Sequence, residues 1–355
     1  MAIIRSLTIH LPNYEKIVKY TDLLEKFVSK LSGRGYTVWS KRISLPVARD
    51  NIYKVCDYIH SNYDSLSKYF IAAFVIDPSE RNTPSGTDLF ACMISLRNTF
   101  STMLITEDYL DKILQILRQF YSAEQYDVYT RFAGVVGEWV MTPYFPSSPS
   151  LVNEATVTLA LRYVDLFDKG FGGGEGYKEL IKWLRDLDSS AREIAYEIGV
   201  RYGGIDTSLS PWMEESVAEL VEKYSRETLD SPGVAHTIYR MNRFIEEIIS
   251  ISGISKTGFN EVMLPVEEDN ILKKRVTEGK LTLTKLLRLT PYCIVGVDMI
   301  VVPRKKFSIE KFVLDLLTVY RIKRRALGFR VIPVDREPGT IIDLGRFGSA
   351  TVADI

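Results

Sequence analysis

The chain has 355 residues, 46% of them hydrophobic and 25% charged, which is enough to bury a large α/β core. Its 45 basic and 45 acidic side chains give a formal net charge of zero, so no overall field draws the protein to nucleic acid or to a membrane surface. The first residues lack the pattern of a secretory signal and no apolar run reaches the length of a membrane span. We therefore expect a cytoplasmic protein with no nucleic acid and no membrane among its partners.

Cysteine, histidine and glutamine are sparse, and this limits the possible chemistry. The three cysteines lie far apart, without the spacing of a disulfide framework, a redox motif or a structural zinc site. They are Cys56, Cys92 and Cys293. The three histidines are equally scattered, which argues against a three-histidine metal centre. There are only three glutamines beside many Glu and Lys residues, a bias that indicates a hyperthermophilic source.

Apolar runs with strand character alternate with stretches of helical spacing along the chain. Strands are predicted over 3–11, 36–45, 70–77, 129–136, 155–164, 204–207, 259–265, 291–303, 329–334 and 340–344. Helices are predicted over about 17–31, 50–63, 88–100, 107–121, 180–198, 214–225, 234–250, 267–278, 282–288 and 308–327. This order predicts a mainly parallel sheet or barrel with helices outside. No linker divides it, so we expect a single α/β domain over residues 1–355.

The segment 138–146 carries two prolines among aromatic residues, which precludes regular sheet pairing. We expect it to form a shaped loop rather than a strand. Its Thr142 and Tyr144 are candidates for binding polar groups of a substrate.

Asp298 interrupts an apolar, β-branched run between Pro291 and Pro303 that is typical of a strand buried on both faces. A carboxylate in such a strand needs a partner, because leaving it desolvated and unpaired costs several kcal/mol. Asp298 is therefore the best site candidate in the chain. The alternative is a structural carboxylate held by a buried arginine, for which the sequence offers candidates. These are Arg49, Arg97 and Arg162.

Two further polar groups follow predicted strands, and in parallel α/β proteins ligands bind past the carboxyl ends of strands. Asp206 precedes Ser208 and Ser210, which could bind polar substrate groups, although Ser210 before Pro211 would equally cap a helix.

Glu267 and Asp269 follow the second of these strands and are candidate acid/base or metal-binding carboxylates. Acidic residues in a first helical turn are also stabilised by the helix dipole, by about 0.3–1 kcal/mol each, without any function. Cys293 could be a nucleophile, but no histidine stands near it in sequence and buried cysteine is usually an inert hydrophobe.

Several segments together resemble the bacterial and archaeal family catalogued as domain of unknown function 711, and we expect an archaeal-type member of it, from a thermophilic archaeon. The segments are 142–146, 204–211, 262–269, 293–300 and 343–348. The resemblance implies a fold like that of pyruvate formate-lyase and other glycyl-radical enzymes, a ten-stranded α/β barrel with helices outside that encloses a hairpin loop. It implies no known activity. Glycyl-radical enzymes carry an Arg-Val-x-Gly-Tyr-like segment near the C-terminus, and residues 345–349 depart from it, although Cys293 would match a thiyl cysteine.

We interpret the chain as an enzyme that acts on a small polar metabolite through carboxylates at a barrel mouth. Asp298 and Glu267 would be the acid/base pair, because two close carboxylates shift each other's pKa. Together with Asp269 they could instead bind a divalent metal such as Mg. The alternative is a non-catalytic protein, either a binder of a small-molecule ligand or a structural homo-oligomer. We expect a homo-oligomer under either reading.

Overall fold

The computed structural model describes residues 2–49, 51–292 and 296–355. Within them, nine strands form one sheet and two short strands form a hairpin. The nine are β1 (Ile3–His10), β2 (Val38–Ser44), β3 (Phe70–Ile76), β4 (Thr99–Ile105), β5 (Phe132–Val136), β6 (Thr156–Arg162), β7 (Arg201–Asp206), β8 (Val297–Pro303) and β9 (Leu327–Val334). The hairpin strands are β10 (Ile341–Asp343) and β11 (Ser349–Thr351).

The strand order in the large sheet is β7-β6-β1-β2-β3-β4-β5-β9-β8. Neighbouring strands are parallel except at β1–β6 and β5–β9, which are antiparallel. The sheet is therefore mainly parallel, as predicted. Its strands read as continuous apolar runs because helices and loops cover both faces, and β8 and β9 are buried along their whole length.

Helices connect the strands and bury one apolar stripe each. They are α1 (Ile17–Gly33), α2 (Ile52–Ser61), α3 (Tyr63–Leu66), α4 (Gly86–Ser95), α5 (Leu110–Phe120), α6 (Tyr126–Tyr129), α7 (Val164–Phe171), α8 (Glu175–Ile198), α9 (Val217–Ser225), α10 (Val234–Ser252), α11 (Asn270–Thr277), α12 (Leu283–Leu289) and α13 (Ile309–Lys323). The stripe predicted for the longest of them, α8, is confirmed. Its buried members include Leu180, Leu184, Leu187, Ala191 and Ile194.

The main differences from the predicted elements lie at 88–105, 259–265 and 291–303. The predicted helix over 88–100 ends at Ser95, and the strand β4 that follows it was missed because its Ser and Thr residues weaken the apolar run. The predicted strand over 259–265 is not a regular strand. The strand predicted over 291–303 begins at Val297, and residues 293–295 lie outside the described part of the chain.

The expected tenth strand is replaced by an irregular segment, 256–265, which makes single parallel bridges along its length. Lys256 pairs with Ile205 at the end of β7, and Val262 pairs with Leu209 just beyond it. Pro265 pairs with Asp298 of β8. The sheet of regular strands therefore has nine members, and a ten-stranded barrel is not confirmed.

The predicted loop at 138–146 is confirmed and lies against one face of the sheet. The carbonyl oxygen of Pro143 accepts hydrogen bonds from Ser6 and Thr8 of β1 and from Arg42 of β2. The Ser148 carbonyl accepts one from Ser44, also of β2. Polar side chains on this face thus satisfy the backbone of a buried loop, which would otherwise carry unpaired groups.

Gly258, in the irregular segment, tests how closely that segment packs. At this residue φ is +74°, and a Cβ would lie 1.9 Å from the Asp206 Oδ2. We expect Gly258→Ala to lower the free energy of unfolding by about 3 kcal/mol, since backbone strain adds to a clash with a buried group. Gly253 is the matched control, because its φ is +67° and nothing lies within 4 Å of its Cβ position.

Urea denaturation of both variants measures the two losses. For Gly253→Ala we expect only the backbone term of about 1–2 kcal/mol. Equal losses in the two variants would contradict the close approach to Asp206.

Candidate functional site

A cavity of about 290 Å³ lies at the amino ends of β1 to β5, and loop residues 144–147 form part of its wall. Its lining includes Phe70 at the start of β3, Phe100 near the start of β4 and Ala133 near the start of β5. The volume suits a small metabolite. We expected a site past the carboxyl ends of the strands. For these five strands the cavity lies instead at the amino ends.

Charged and aromatic side chains dominate the lining. The guanidinium groups belong to Arg5, Arg42, Arg330 and Arg346, and the carboxylates belong to Glu268 and Asp298. The aromatic residues are Trp39, Phe70, Phe100, Tyr144, Phe145, Trp212, Phe259 and Phe329. Four cations face two anions, so the cavity carries an excess of positive charge.

Arg330 of β9 joins the two carboxylates. Its Nε lies 2.5 Å from Asp298 Oδ1, and its Nη2 lies 2.8 Å from Asp298 Oδ2 and 2.9 Å from Glu268 Oε1. The second Glu268 oxygen accepts a hydrogen bond from Arg5 Nη2 at 2.5 Å. All four side chains are at least nine-tenths buried. Two buried carboxylates thus lie within hydrogen-bonding reach of one nitrogen atom.

Two backbone irregularities aim these groups. In the β8–β9 pairing the register shifts between Asp298 and Ile300, and the intervening Met299 has a φ of +56°. In the β1–β6 pairing the register shifts between Ile4 and Ser6, at Arg5. A bulge turns a side chain away from the direction that strict alternation would give it. A β-branched or bulky residue rarely adopts a positive φ, so the strain at Met299 marks a position that its surroundings enforce.

The surroundings shift the pKa values of the two carboxyls in opposite directions. Burial raises the pKa of Asp298, and the adjacent Glu268 adds to the effect, although Arg330 opposes it. Burial also acts to raise the pKa of Glu268, but Arg330 and Arg5 outweigh it and hold that pKa below its usual value. Glu268 therefore stays ionised, while Asp298 takes up a proton more readily.

Arg5 is enclosed by aromatic rings. Its guanidinium lies 5.5 Å from the Trp39 ring, 5.6 Å from Trp212 and 6.0 Å from Tyr144. The two indole rings contact each other edge to face, with centroids 4.7 Å apart. Such contacts, together with Glu268, fix the orientation of Arg5.

The candidates in the segment 142–144 and around Asp206 are joined in one network. Asp206 accepts hydrogen bonds from Thr142 Oγ1 at 2.8 Å, from Ser208 Oγ at 2.6 Å and from the Phe259 amide at 3.0 Å. Thr142, Asp206 and Ser208 do not line the cavity. They hold the irregular segment and the loop against β7.

Tyr144 and Ser210 do line the cavity. The Tyr144 hydroxyl lies 3.0 Å from the carbonyl oxygens of Leu161 and Ser208, so it is occupied by the backbone and presents its ring to the cavity. The Ser210 hydroxyl is buried, and it lies near enough to the Tyr144 hydroxyl to oppose the rise in the pKa of Tyr144 that burial causes.

Glu267 is adjacent in sequence to Glu268 but does not line the cavity. Its side chain is 1% exposed, and its Oε2 lies 3.6 Å from the Lys273 ammonium and has no hydrogen-bond partner among the described residues. Burial raises the pKa of Glu267 to about 8, although Lys273 opposes the shift. The structure thus brings Glu268, rather than Glu267, together with Asp298.

Asp269 caps the first turn of α11. It accepts hydrogen bonds from the amides of Ile271 and Leu272, and from Ser216 and the Ala218 amide at the start of α9. Within residues 2–49, 51–292 and 296–355, no three His, Cys, Asp or Glu side chains are grouped to hold a metal ion. The three carboxylates considered as magnesium ligands, Asp298, Glu267 and Asp269, are therefore not assembled into one set. Cys293 lies outside the described residues.

The arginine partner of Asp298 is none of the three suggested by the sequence. Arg49 is 81% exposed and lies near Glu80, and Arg162 pairs with Glu215. The actual partner, Arg330, stands in the apolar strand β9, so the argument that identified Asp298 would have identified it as well.

The mainly parallel sheet and its helices make this a mixed α/β protein. Its charged cavity is large enough for a small molecule. Residues 177–344 match the family model described as "Uncharacterised ACR (DUF711)". The expected family resemblance is confirmed over that part of the chain, and the family description names no activity.

Curated relatives match a similar share of the chain. A UPF0210 protein of Halothermothrix orenii is 31% identical over 184 residues, which are 50% of this chain and 41% of the relative. A UPF0210 protein of Methanopyrus kandleri is 32% identical over 170 residues, 46% of this chain and 38% of the relative. The matches thus span about two fifths of these relatives' length. Relatives come from both bacteria and archaea, so an archaeal-type member is not supported.

Among solved structures, an anaerobic ribonucleotide reductase covers 99% of this chain and 74% of its own, with 11% identity and a TM-score of 0.41. The enzyme from Thermotoga maritima has 10% identity and a TM-score of 0.35. At these scores the likeness carries no argument about activity. Within the described residues, no helix has both the length and the apolarity needed to cross a membrane.

Arg330→Met tests the shared ion pair. We expect it to lower the free energy of unfolding by about 3–5 kcal/mol, because it leaves two buried carboxylates without their main partner. In the variant, the folded-state pKa values of both carboxyls lie above their unfolded values, so the stability of the variant falls as pH rises. The loss relative to the parent is therefore larger at pH 8 than at pH 5. Urea denaturation at both pH values measures it.

Arg118→Met is the matched control, since the Arg118–Glu310 pair is more than half exposed on both sides. Its loss should stay below about 1 kcal/mol at either pH. A loss for Arg330→Met as small as that of the control would contradict the buried cluster.

Glu267→Gln tests the isolated carboxyl. A folded-state pKa of about 8 lies above the unfolded value, so the stability that protonated Glu267 contributes is complete below about pH 4.5 and is lost as pH rises through 8. The amide cannot ionise, so we expect the variant to be more stable than the parent at pH 9, by a few kcal/mol. The two proteins should be close at pH 5, and unfolding curves with the same pH dependence in both would exclude the raised pKa.

Proposed function

We propose that this protein is an enzyme that transfers a proton to or from a small polar metabolite bound in the cavity. The observation that supports it best is the pair of buried carboxylates, Asp298 and Glu268, that share the Arg330 guanidinium on the cavity wall. Acid–base catalysis uses carboxyls whose environments push their pKa values apart, as the surroundings of these two do.

The roles follow from the surroundings of each group. Asp298, whose pKa burial raises, is the proton donor and acceptor. Glu268 stays charged and holds Arg330 and Arg5 in place. Ser210, on the cavity wall, binds a polar group of the metabolite. This keeps the carboxylate mechanism expected from the sequence and replaces Glu267 by its neighbour.

We also propose that the sheet closes into a barrel around the cavity, as one domain. The irregular segment 256–265 supports this, since it bridges to β7 at one end and to β8 at the other, the two outer strands of the sheet. Exposed Leu314 and Ile322 on α13, which are 44% and 75% exposed, would serve self-association of a homo-oligomer.

Incubation with a small-molecule extract from cells, followed by untargeted mass spectrometry, tests the enzymatic proposal. We expect the parent protein to deplete at least one compound. Asp298→Asn should deplete it at no more than about one hundredth of the parent's rate, since the amide cannot transfer the proton. Asp354→Asn, at an exposed carboxylate, should match the parent.

Equal depletion by the parent and by Asp298→Asn would exclude the assigned role. A compound retained by the protein while none is depleted would support the alternative, a non-catalytic binder of a small-molecule ligand.

A further inference from the structure

Two of the four cavity arginines have no carboxylate partner. Arg5 and Arg330 are paired with Glu268 and Asp298. Arg42 and Arg346 form no ion pair within the part of the chain that the structure describes. The excess positive charge of the cavity is therefore localised on these two side chains.

Arg42 is 91% buried and only partly satisfied. Its Nε donates to Ser40 Oγ at 3.0 Å and its Nη1 to the Pro143 carbonyl at 3.3 Å, and among the described residues Nη2 has no protein acceptor. Burial and the nearby charges of Arg5 and Arg346 lower the pKa of the Arg42 guanidinium to about 9. A guanidinium is almost never buried unpaired, because its desolvation is not offset.

Arg346 lies on the solvent-facing side of the cavity, in the 3₁₀ helix Gly345–Phe347 at the tip of the β10–β11 hairpin. Within the described residues it donates no hydrogen bond to protein. Aromatic rings hold it, with its guanidinium 5.5 Å from the Phe70 ring and 4.6 Å from Phe347. Lys273 anchors the same turn by a hydrogen bond to the Phe347 carbonyl. The N–H groups of Arg346 are thus held in a fixed orientation, and they donate to no acceptor among the described residues.

One aromatic wall connects the two arginines. The Arg42 guanidinium lies 5.1 Å from the Phe145 ring, Phe145 lies 5.4 Å from Phe100, and Arg346 lies 6.0 Å from Phe100. A ligand between the arginines would therefore lie against two phenyl rings, which favour a flat, unsaturated body.

We infer that the cavity binds an organic oxyanion with a flat, unsaturated body, and that Arg42 and Arg346 hold its negatively charged group. The inference rests on the proposed function in taking this cavity as the substrate site. It adds the class of substrate, a phosphate ester or a carboxylic acid, whose negative charge offsets the two unpaired guanidiniums. Asp298 then faces the body of the ligand rather than its anionic group.

Isothermal titration calorimetry with phenyl phosphate and with inorganic phosphate, at constant ionic strength, tests the inference. We expect both to bind and phenyl phosphate to bind about tenfold more tightly, since its ring adds contact with Phe100 and Phe145. Arg346→Gln and Arg42→Lys should each weaken phenyl phosphate about tenfold or more, because a guanidinium holds an oxyanion by two hydrogen bonds.

Arg49→Gln is the control for removing a positive charge elsewhere, and it should bind as the parent does. The free Arg346→Gln protein loses cation–π contacts with Phe70 and Phe347 but also a cation that Arg330 and Arg5 repel, so we expect its melting temperature to stay close to that of the parent. A cooperative melt near that temperature shows that a loss of binding is not due to misfolding. The inference would be overturned if neither probe binds at about 20 mM, a concentration far above the dissociation constant of a specific site. Unchanged affinity in both variants would overturn it as well.

This test is independent of the depletion experiment. Asp298→Asn removes a negative charge from the cavity, so it should bind phenyl phosphate at least as tightly as the parent. If phosphate binds in this way while no metabolite is depleted, the catalytic role of Asp298 fails and the oxyanion site stands. If a metabolite is converted but neither probe binds, only the oxyanion site fails.

Discussion

The contact on which this structure most depends is the one between the Arg330 guanidinium and two carboxylates, Asp298 and Glu268. It joins an outer strand of the sheet, its neighbour and the turn that follows the irregular segment, and through Arg5 it reaches β1 near the middle of the sheet. Buried ion pairs add little net stability compared with apolar packing. Their geometric demands are strict, however, so the cluster fixes how these four pieces of chain meet.

The same cluster explains the shape of the cavity. Bulges at Arg5 and Met299 direct polar groups inward at points where strict alternation would direct apolar ones. The loop after β5 and the irregular segment then occupy the same face of the sheet, held by Asp206 and by the polar side chains of β1 and β2. What remains between them is a small space with more cations than anions.

Much of the fold follows from the sequence, because continuous apolar strands and amphipathic helices leave period-dependent signals. The loop at 138–146 and the alternating order were predictable from proline positions and spacing. The site was only partly predictable: Asp298 stood out as a charge in an apolar strand, and Arg330 offered the same signal. The sequence could not show which of Glu267 and Glu268 faces the cavity. The two lie in a tight 3₁₀ turn, where adjacent residues face different surroundings and no periodic pattern indicates their directions.

Other residues that looked functional are engaged in holding backbone. Asp206 and Asp269 each accept several hydrogen bonds from amides and hydroxyls, which is how a buried carboxylate is stabilised without a metal or a base nearby. Sequence alone does not distinguish a carboxylate that holds backbone from one that acts in a functional site, because in both cases an acidic residue stands beside small hydroxyl residues after a strand.

The hairpin that carries Arg346 has a consequence for the biosynthesis of this protein. Arg5 is made before its partner Glu268, which follows 263 positions later, and the hairpin comes later still. A nascent chain can therefore pack its early strands long before it holds any complete charge cluster. Contacts of such long sequence separation form slowly, so the charge cluster is complete only after the chain beyond Glu268 has been made.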